Sequence, residues 1–342
     1  MFLDAPLRNP ALSDVADEAR RLERMGFGAL WSFETSRDPF LPLLGAALAT
    51  EHIRMGTNIA VAFARTPFSM AMTAWDLQRV SRGRLFLGLG TQVRAHVERR
   101  FSSAFEHPAA RITDYIHCLR AIWDTFQTGA RPDYEGPYYR FKLINEMFTG
   151  GPIDHPHIPV LLAGVNPRMA RAAGEAADGF SVHPMHSPDY LREVIRPAID
   201  EGARSRGKSV SDIFLLTDCF IVRGSTEGER GRSEEGVRRQ IALYASTPSY
   251  RGFLEFHGYP EIGKQLSALM REGRLQEMPA LISDELLSVV AVSEADGDIA
   301  DQIRGRYSGG LVQRVLFYEP VPADADEENM RAFVNRIQGE EP

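Results

Sequence analysis

Eight short, nearly continuous apolar segments recur along this chain, most of them separated by a stretch with helical spacing. FLDA (2–5), GALWSF (28–33), IRMGTNIAVAF (53–63) and RLFLGLG (84–90) read as strands, as do PVLLAG (159–164), GFSVHP (179–184), IFLLTDCFIVR (213–223) and LVQRVLFY (311–318). Residues 11–25, 39–52, 67–81, about 108–127, 167–177 and 189–207 carry apolar positions at helical spacing. Ser13 reads as the N-cap of the first helix and Gly26 as its stop. Strands that are apolar throughout are buried on both faces, so the sheet they form is parallel and covered by helices. Eight such units close into a (β/α)8 TIM barrel, with a doubly wound open sheet as the alternative. A barrel also accommodates all 342 residues as a single domain, 1–342.

Two segments interrupt the rhythm. Residues 129–157 are rich in Gly, Pro and aromatics, and residues 225–290 are helical and charged. They are expected to be insertions, after strand four and strand seven, and both are candidate lids because loops that follow barrel strands lie on the catalytic face. The tail PADADEENMRAFVNRIQGEEP reads as a surface helix with an acidic end.

The net charge of −7 argues against nucleic acid as a partner, because phosphate binding needs a basic surface. A local cationic pocket for a small anion is compatible with that balance. Two cysteines, Cys118 and Cys219, are too few for a disulfide framework or a cysteine zinc site, and they suit a reducing compartment. With no apolar run of membrane-spanning length and no signal-peptide pattern at the start, the expectation is a soluble cytoplasmic protein without a membrane partner.

The chemistry of a barrel gathers at the C-terminal strand ends. Strand two delivers Ser32, Glu34 and Thr35, and strand three Asn58, Ala60, Phe63 and Arg65. Strand four delivers Gly90, Thr91, Gln92, Arg94 and His96, strand five Gly164, Val165 and Asn166, and strand six His183 and His186. These groups are rich in donors and small residues and poor in paired carboxylates, which suits a planar, anionic cofactor better than hydrolysis. Gly164-Val165-Asn166 before Pro167 is a phosphate cradle, because the first turn of a helix presents unbonded N–H groups. Each feature also has a plain structural reading. Gly88 and Gly90 are then small to fit the barrel interior, Glu34 is a salt-bridge partner, His96 is solvated, and Arg99 and Arg100 are surface. Gly88-x-Gly90 lacks the third glycine of a dinucleotide fingerprint, with Val93 in its place. His183-x-x-His186 and His155-x-His157 have no evident third ligand, so no metal is expected.

The run IRMGTNIAVAFARTPFSMAMTAWDLQRVSRGRLFLGLGTQ resembles the luciferase-like flavin and deazaflavin oxidoreductases, as do YEGPYYRF and PVLLAGVNPRMARAAGEAADGF. GTQVRAHVERRF and GPIDHPHIPVLLAGVNP look most like the branch assigned to the deazaflavin coenzyme F420. The resemblance spans about residues 2–318 and implies a (β/α)8 barrel, usually homodimeric, with the cofactor at the strand ends. It implies a non-prolyl cis peptide near Asn58-Ile59, cofactor contacts from Gly90, Thr91, Gln92 and His96, and a phosphate site at Gly164, Val165 and Asn166.

Two departures accompany the resemblance. Sugar-phosphate and alcohol-oxidising branches pair an acid with a histidine after strand two, and here Thr35 follows Glu34. Those branches also place a glutamate after the strand-four Gly-Thr, where Val93 stands here. The reading is therefore an F420-dependent oxidoreductase acting on a small organic substrate, against sugar phosphates and secondary alcohols. Glu34, His96 or His183 would move the proton, and Arg65 or Arg94 would meet the substrate or the cofactor's anionic tail. The alternatives are an FMN-dependent monooxygenase fed by a separate reductase, and a non-catalytic flavin-binding barrel.

Overall fold

The computed structural model describes residues 1–7 and 11–339. Its eight principal strands are β1 (Phe2–Pro6), β2 (Ala29–Ser32), β3 (Arg54–Thr57, resumed at Ala60–Val61) and β4 (Leu85–Gly90), followed by β5 (Val160–Gly164), β6 (Gly179–Val182), β7 (Phe214–Val222) and β8 (Arg314–Phe317). Among these eight strands all pairings are parallel, each strand lies beside the next in sequence, and β8 returns to β1 with Phe2 opposite Arg314. The sheet is thus a closed (β/α)8 barrel, which leaves none of these strands as a free edge.

The outer faces of the strands pack on eight helices: α1 (Val15–Arg24), α2 (Phe40–Ala49), α3 (Pro67–Val80), α4 (Pro108–Thr128), α5 (Pro167–Ala176), α6 (Arg196–Arg204), α7 (Ile299–Arg306) and α8 (Glu327–Gln338). The inner faces form their own cluster of Ala29, Trp31, Phe86, Leu161, Leu216 and Leu316. Trp31 stacks on Phe86 at 5.5 Å between ring centroids. Inside the barrel Asp4 accepts from Arg314 Nε (2.7 Å) and Nη2 (2.6 Å) and from Trp31 Nε1 (2.8 Å), tying β8, β1 and β2 together.

Several expectations need correction. Helix α1 begins at Val15, with Asp14 in the cap position, while Ser13 donates to the Asp14 carboxylate (2.7 Å) and caps nothing. Gly26, at φ +83°, does end that helix. A further parallel strand, Ala291–Ser293, adds to β7 at Phe220–Val222, because β7 runs past the barrel rim and would otherwise expose its edge.

Residues 129–157 do not cover the mouth of the barrel. They leave from the C-terminal end of α4, at the opposite end from the strand C-termini, and strap the outside of α3 and α4. Gln78 of α3 donates to the carbonyls of His155 and His157 (both 3.0 Å), Trp75 donates to Gly151 (2.9 Å), and Tyr138 and Tyr139 donate through their amides to Asp114 (both 2.8 Å). Residues 225–290 follow β7 directly and lie at the catalytic end, where their helices include Glu227–Ala245 and Arg251–Phe256. In the tail, α8 buries Val334 and Ile337, and the acidic end at 340–342 lies outside the described residues. Among the described residues no helix is long and apolar enough to cross a membrane.

Candidate active site at the strand ends

A cavity of about 390 Å³ opens at the C-terminal ends of β2, β3, β6 and β7. β2 contributes Phe33, Glu34 and Thr35, β3 contributes Asn58 and Ile59, and the loop after β4 contributes Gln92 at φ +56°. His183 and Pro184 follow β6, Asp218 lies on β7, Tyr318 follows β8, and Tyr244 comes from the 225–290 insertion.

The Asn58-Ile59 peptide is cis and interrupts β3. The Asn58 amide side chain is held from across the barrel. Ser181 Oγ donates to its Oδ1 (2.8 Å), and its Nδ2 donates to Asp218 Oδ1 (3.4 Å). Strands β6, β7 and β3 therefore fix one floor residue together.

Glu34 reaches the cavity but its oxygens are engaged. Oε2 accepts from the Val61 amide (2.7 Å), and both oxygens accept from Arg65 Nη1 (2.9 and 2.7 Å). Arg65 Nη2 donates in turn to Asp38 (2.8 Å), and Arg65 does not line the cavity. The pair pins the chain beyond the cis peptide to the end of β2.

His183 lies edge-on to Tyr244, with ring centroids 4.3 Å apart, and 4.8 Å from Tyr250. Burial pushes its pKa down to about 3, so the ring is neutral at ordinary pH. Its Nδ1 accepts from the Met185 amide (3.2 Å), which assigns the proton to Nε2. His183 thus presents a neutral ring to the cavity, with Nε2 as its donor. His186 turns the other way, with Nε2 2.9 Å from the Tyr307 hydroxyl, so the two histidines do not converge.

The remaining sequence candidates occupy other places. His96 is exposed on the short helix Arg94–Arg99, and Arg94 pairs with Glu98 (2.7 Å); neither lines the cavity. Thr91 is buried behind Gln92, donating to its carbonyl (3.3 Å). Gly164, Val165 and Asn166 end β5 outside the cavity lining, and Asn166 Oδ1 accepts from the Met169 amide (3.1 Å) as the cap of α5. Of the first-turn positions of α5, Pro167 has no N–H and the Met169 amide is taken by Asn166, which leaves the Arg168 amide for an anion there.

The glycines of β4 have a packing reason of their own. A Cβ on Gly88 would lie 1.8 Å from the Thr57 carbonyl oxygen, and one on Gly90 would lie 2.7 Å from the Ile59 side chain. Thr57 Oγ1 also donates to the Gly88 carbonyl (2.6 Å) and accepts from its amide (3.0 Å). Both glycines let β3 approach β4 where β3 breaks.

Sequence reasoning missed Asp218, Tyr244 and Tyr318. Thr217-Asp218 was a detectable signal, two polar residues inside the apolar strand IFLLTDCFIVR. Tyr318 had one as well, as the C-terminal residue of the strand LVQRVLFY, whereas Tyr244 had none, because only the fold brings the insertion to the end of β8. Their hydroxyls lie 2.7 Å apart, and burial raises the Tyr244 pKa, keeping that phenol protonated.

The family model for luciferase-like monooxygenases matches residues 3–313. The chain belongs to the luciferase-like monooxygenase family. As a member it is an oxidoreductase. Within the luciferase-like proteins, it is 42% identical over 330 residues, 96% of each chain, to an uncharacterized protein of Mycobacterium tuberculosis. It is 29% identical over 293 residues to a putative coenzyme F420-dependent oxidoreductase of the same organism, covering 80% of this chain and 82% of that one. Its fold is similar to that of the coenzyme F420-dependent tetrahydromethanopterin reductase from Methanopyrus kandleri, with a TM-score of 0.75, 21% identity, and coverage of 97% and 96% of the two chains.

Proposed function

We propose that this luciferase-like protein is an F420-dependent oxidoreductase that moves a hydride between the deazaflavin and a small organic substrate. The observation that carries the reading is the cavity floored by Asn58-Ile59, with a neutral histidine donor beside it and no catalytic acid-histidine pair of the alcohol-oxidising kind. The residues fit a planar tricyclic ring. The cavity's volume is that of a small-molecule site, and eight of its eleven lining residues carry a polar group, with Glu34 and Asn58 held in place by neighbouring side chains. Likeness to the putative F420-dependent relative supports the choice of cofactor.

When bound, the deazaflavin supplies two-electron hydride chemistry at C5. Asn58, held by Ser181 and Asp218, supports the ring, and Gln92 and His183 Nε2 donate hydrogen bonds to it or to the substrate. The turn Gly164-Val165-Asn166 before α5 would receive the phosphate. Tyr244 screens the cavity from water on the insertion side. With Glu34 engaged by Arg65 and His183 neutral, proton exchange with the substrate falls to Asp218 and the Tyr244–Tyr318 pair.

Fluorescence titration of the protein with F420 and with FMN tests the reading. It expects F420 to bind at least about tenfold more tightly than FMN. Tight FMN binding without F420 binding would instead support the second reading, a monooxygenase fed by a separate reductase, which the family description favours.

We also infer a cytoplasmic homodimer. The outer face of α2 presents Leu41, Leu44 and Leu48, one of them 73% exposed, at a spacing that aligns them on one side. The two free thiols are both buried, which suits a reducing compartment.

A further inference from the structure

A second cavity, also about 390 Å³, lies between the ends of β7 and β8 and the insertion helix Glu227–Ala245. Its walls are divided by chemistry. Phe220, Val237 and Phe317 give it a buried apolar inner side. Arg223, Arg232 and Arg239 line it as well, against one carboxylate, Glu319. The helix is fastened over the strand end by the Arg223 amide, which donates to Ser233 Oγ (3.1 Å).

The charge here is uncommitted. Among the described residues Arg223 and Arg232 make no ion pair, and Arg239 has only a loose exposed contact with Glu235 at 3.8 Å. Arg65 and Arg94, by contrast, are held by Glu34 and Glu98. Guanidinium groups without carboxylate partners, on the wall of an apolar cavity in an otherwise acidic protein, suit an oxyanion carried on an apolar body.

The two cavities adjoin. Tyr318 lines both, and its hydroxyl lies 2.7 Å from that of Tyr244, which lines the first. Gln240, a wall residue of the second cavity, is 3.3 Å from the same Tyr318 hydroxyl. The arginine-lined cavity thus meets the first cavity at the tyrosine pair.

We propose that this second cavity binds the anionic group of the substrate, a carboxylate or phosphate on an apolar body, with Arg223 and Arg232 as its principal partners. Its assignment to the substrate rests on the first cavity being the cofactor site; the binding of the anion does not.

The test is calorimetric titration of the protein, without cofactor, with phenyl phosphate, benzoate and neutral phenol. Both anions are expected to bind at least about tenfold more tightly than phenol. In the Arg223→Ala/Arg232→Ala double variant the anions lose about tenfold and phenol is unchanged. An unaltered thermal midpoint and circular dichroism spectrum show that the variant folds. Absence of saturable anion binding, or anion affinities unchanged in the folded double variant, overturns the proposal. A second arm titrates the double variant with F420 and with the deazaflavin chromophore lacking its phosphate and glutamyl tail. Unchanged affinity for both supports a substrate site. A loss confined to intact F420 assigns the arginines to the cofactor's tail and overturns the substrate assignment. Failure of the wild-type protein to bind F420 at all would sink the proposed function while leaving the anion result to stand on its own.

Discussion

Arg65 Nη1 lies 2.9 and 2.7 Å from the two carboxylate oxygens of Glu34, and the side chains are 19% and 9% exposed. This pair gives the strand-two acid a structural role. Glu34→Gln should therefore cost stability, roughly 3 kcal/mol, because it leaves a half-buried guanidinium short of charge. Urea unfolding measures it, and a Glu34→Gln/Arg65→Met double variant should lose less than the sum of the single losses. An unchanged unfolding midpoint with a lost limb in the pH–rate profile would return Glu34 to catalysis.

The two β4 glycines should separate in their effects. Gly88→Ala drives a methyl into the backbone carbonyl of Thr57, which cannot move without opening β3 from β4, and should cost at least about 2 kcal/mol. Gly90→Ala meets only the flexible Ile59 side chain, so it should fold with a smaller loss and bind cofactor more weakly. Thermal midpoints and cofactor titration of both variants check this, and equal destabilisation would contradict it.

Ser181→Ala removes the donor that holds Asn58 Oδ1. The loss of one such bond is worth about 1 kcal/mol, so cofactor affinity should fall roughly fivefold with the fold retained. An unaffected dissociation constant would show that Asn58 needs no support from β6.

Acid should destabilise the protein through its buried histidines. Burial first, then the nearby Arg306 charge, pushes the His186 pKa down to about 3 from an ordinary value near 6.5, and burial does the same for His183. Between those values the unfolded chain binds protons that the native chain does not. Stability is then full above about pH 6.5 and declines as pH falls toward 3, by up to roughly 1.4 kcal/mol per pH unit for each histidine. Urea midpoints at about pH 7 and about pH 5 measure the slope, and His186→Gln should flatten it.

The α2 leucines predict association. Wild-type protein should sediment as a dimer, and Leu44→Glu/Leu48→Glu should sediment as a monomer that keeps its far-ultraviolet spectrum. A monomeric wild type at micromolar concentration would remove the basis for an interface on α2.

Much of the barrel was legible in the chain because its strands are written locally. A run such as LFLGLG needs burial on both faces whatever surrounds it, and Gly26, Pro67 and Pro167 mark helix boundaries through their own backbone chemistry. Asn58, Ile59, Gln92, Glu34 and His183 were nameable because they follow strands, and strand ends converge in a barrel.

The sequence by itself therefore determined the order of strands and helices and which end of each strand would carry the chemistry. Tertiary structure decided what each group is free to do. Arg65 reaches Glu34 across 31 positions, Ser181 reaches Asn58 across 123, and Tyr244 meets Tyr318 across 74. Contacts at such separations leave no periodic trace, because they depend on barrel closure and on the path of the 225–290 insertion. For the same reason the sequence places His183 at a strand end without showing that Tyr244 and Tyr250 pack against its ring and that burial keeps the ring neutral.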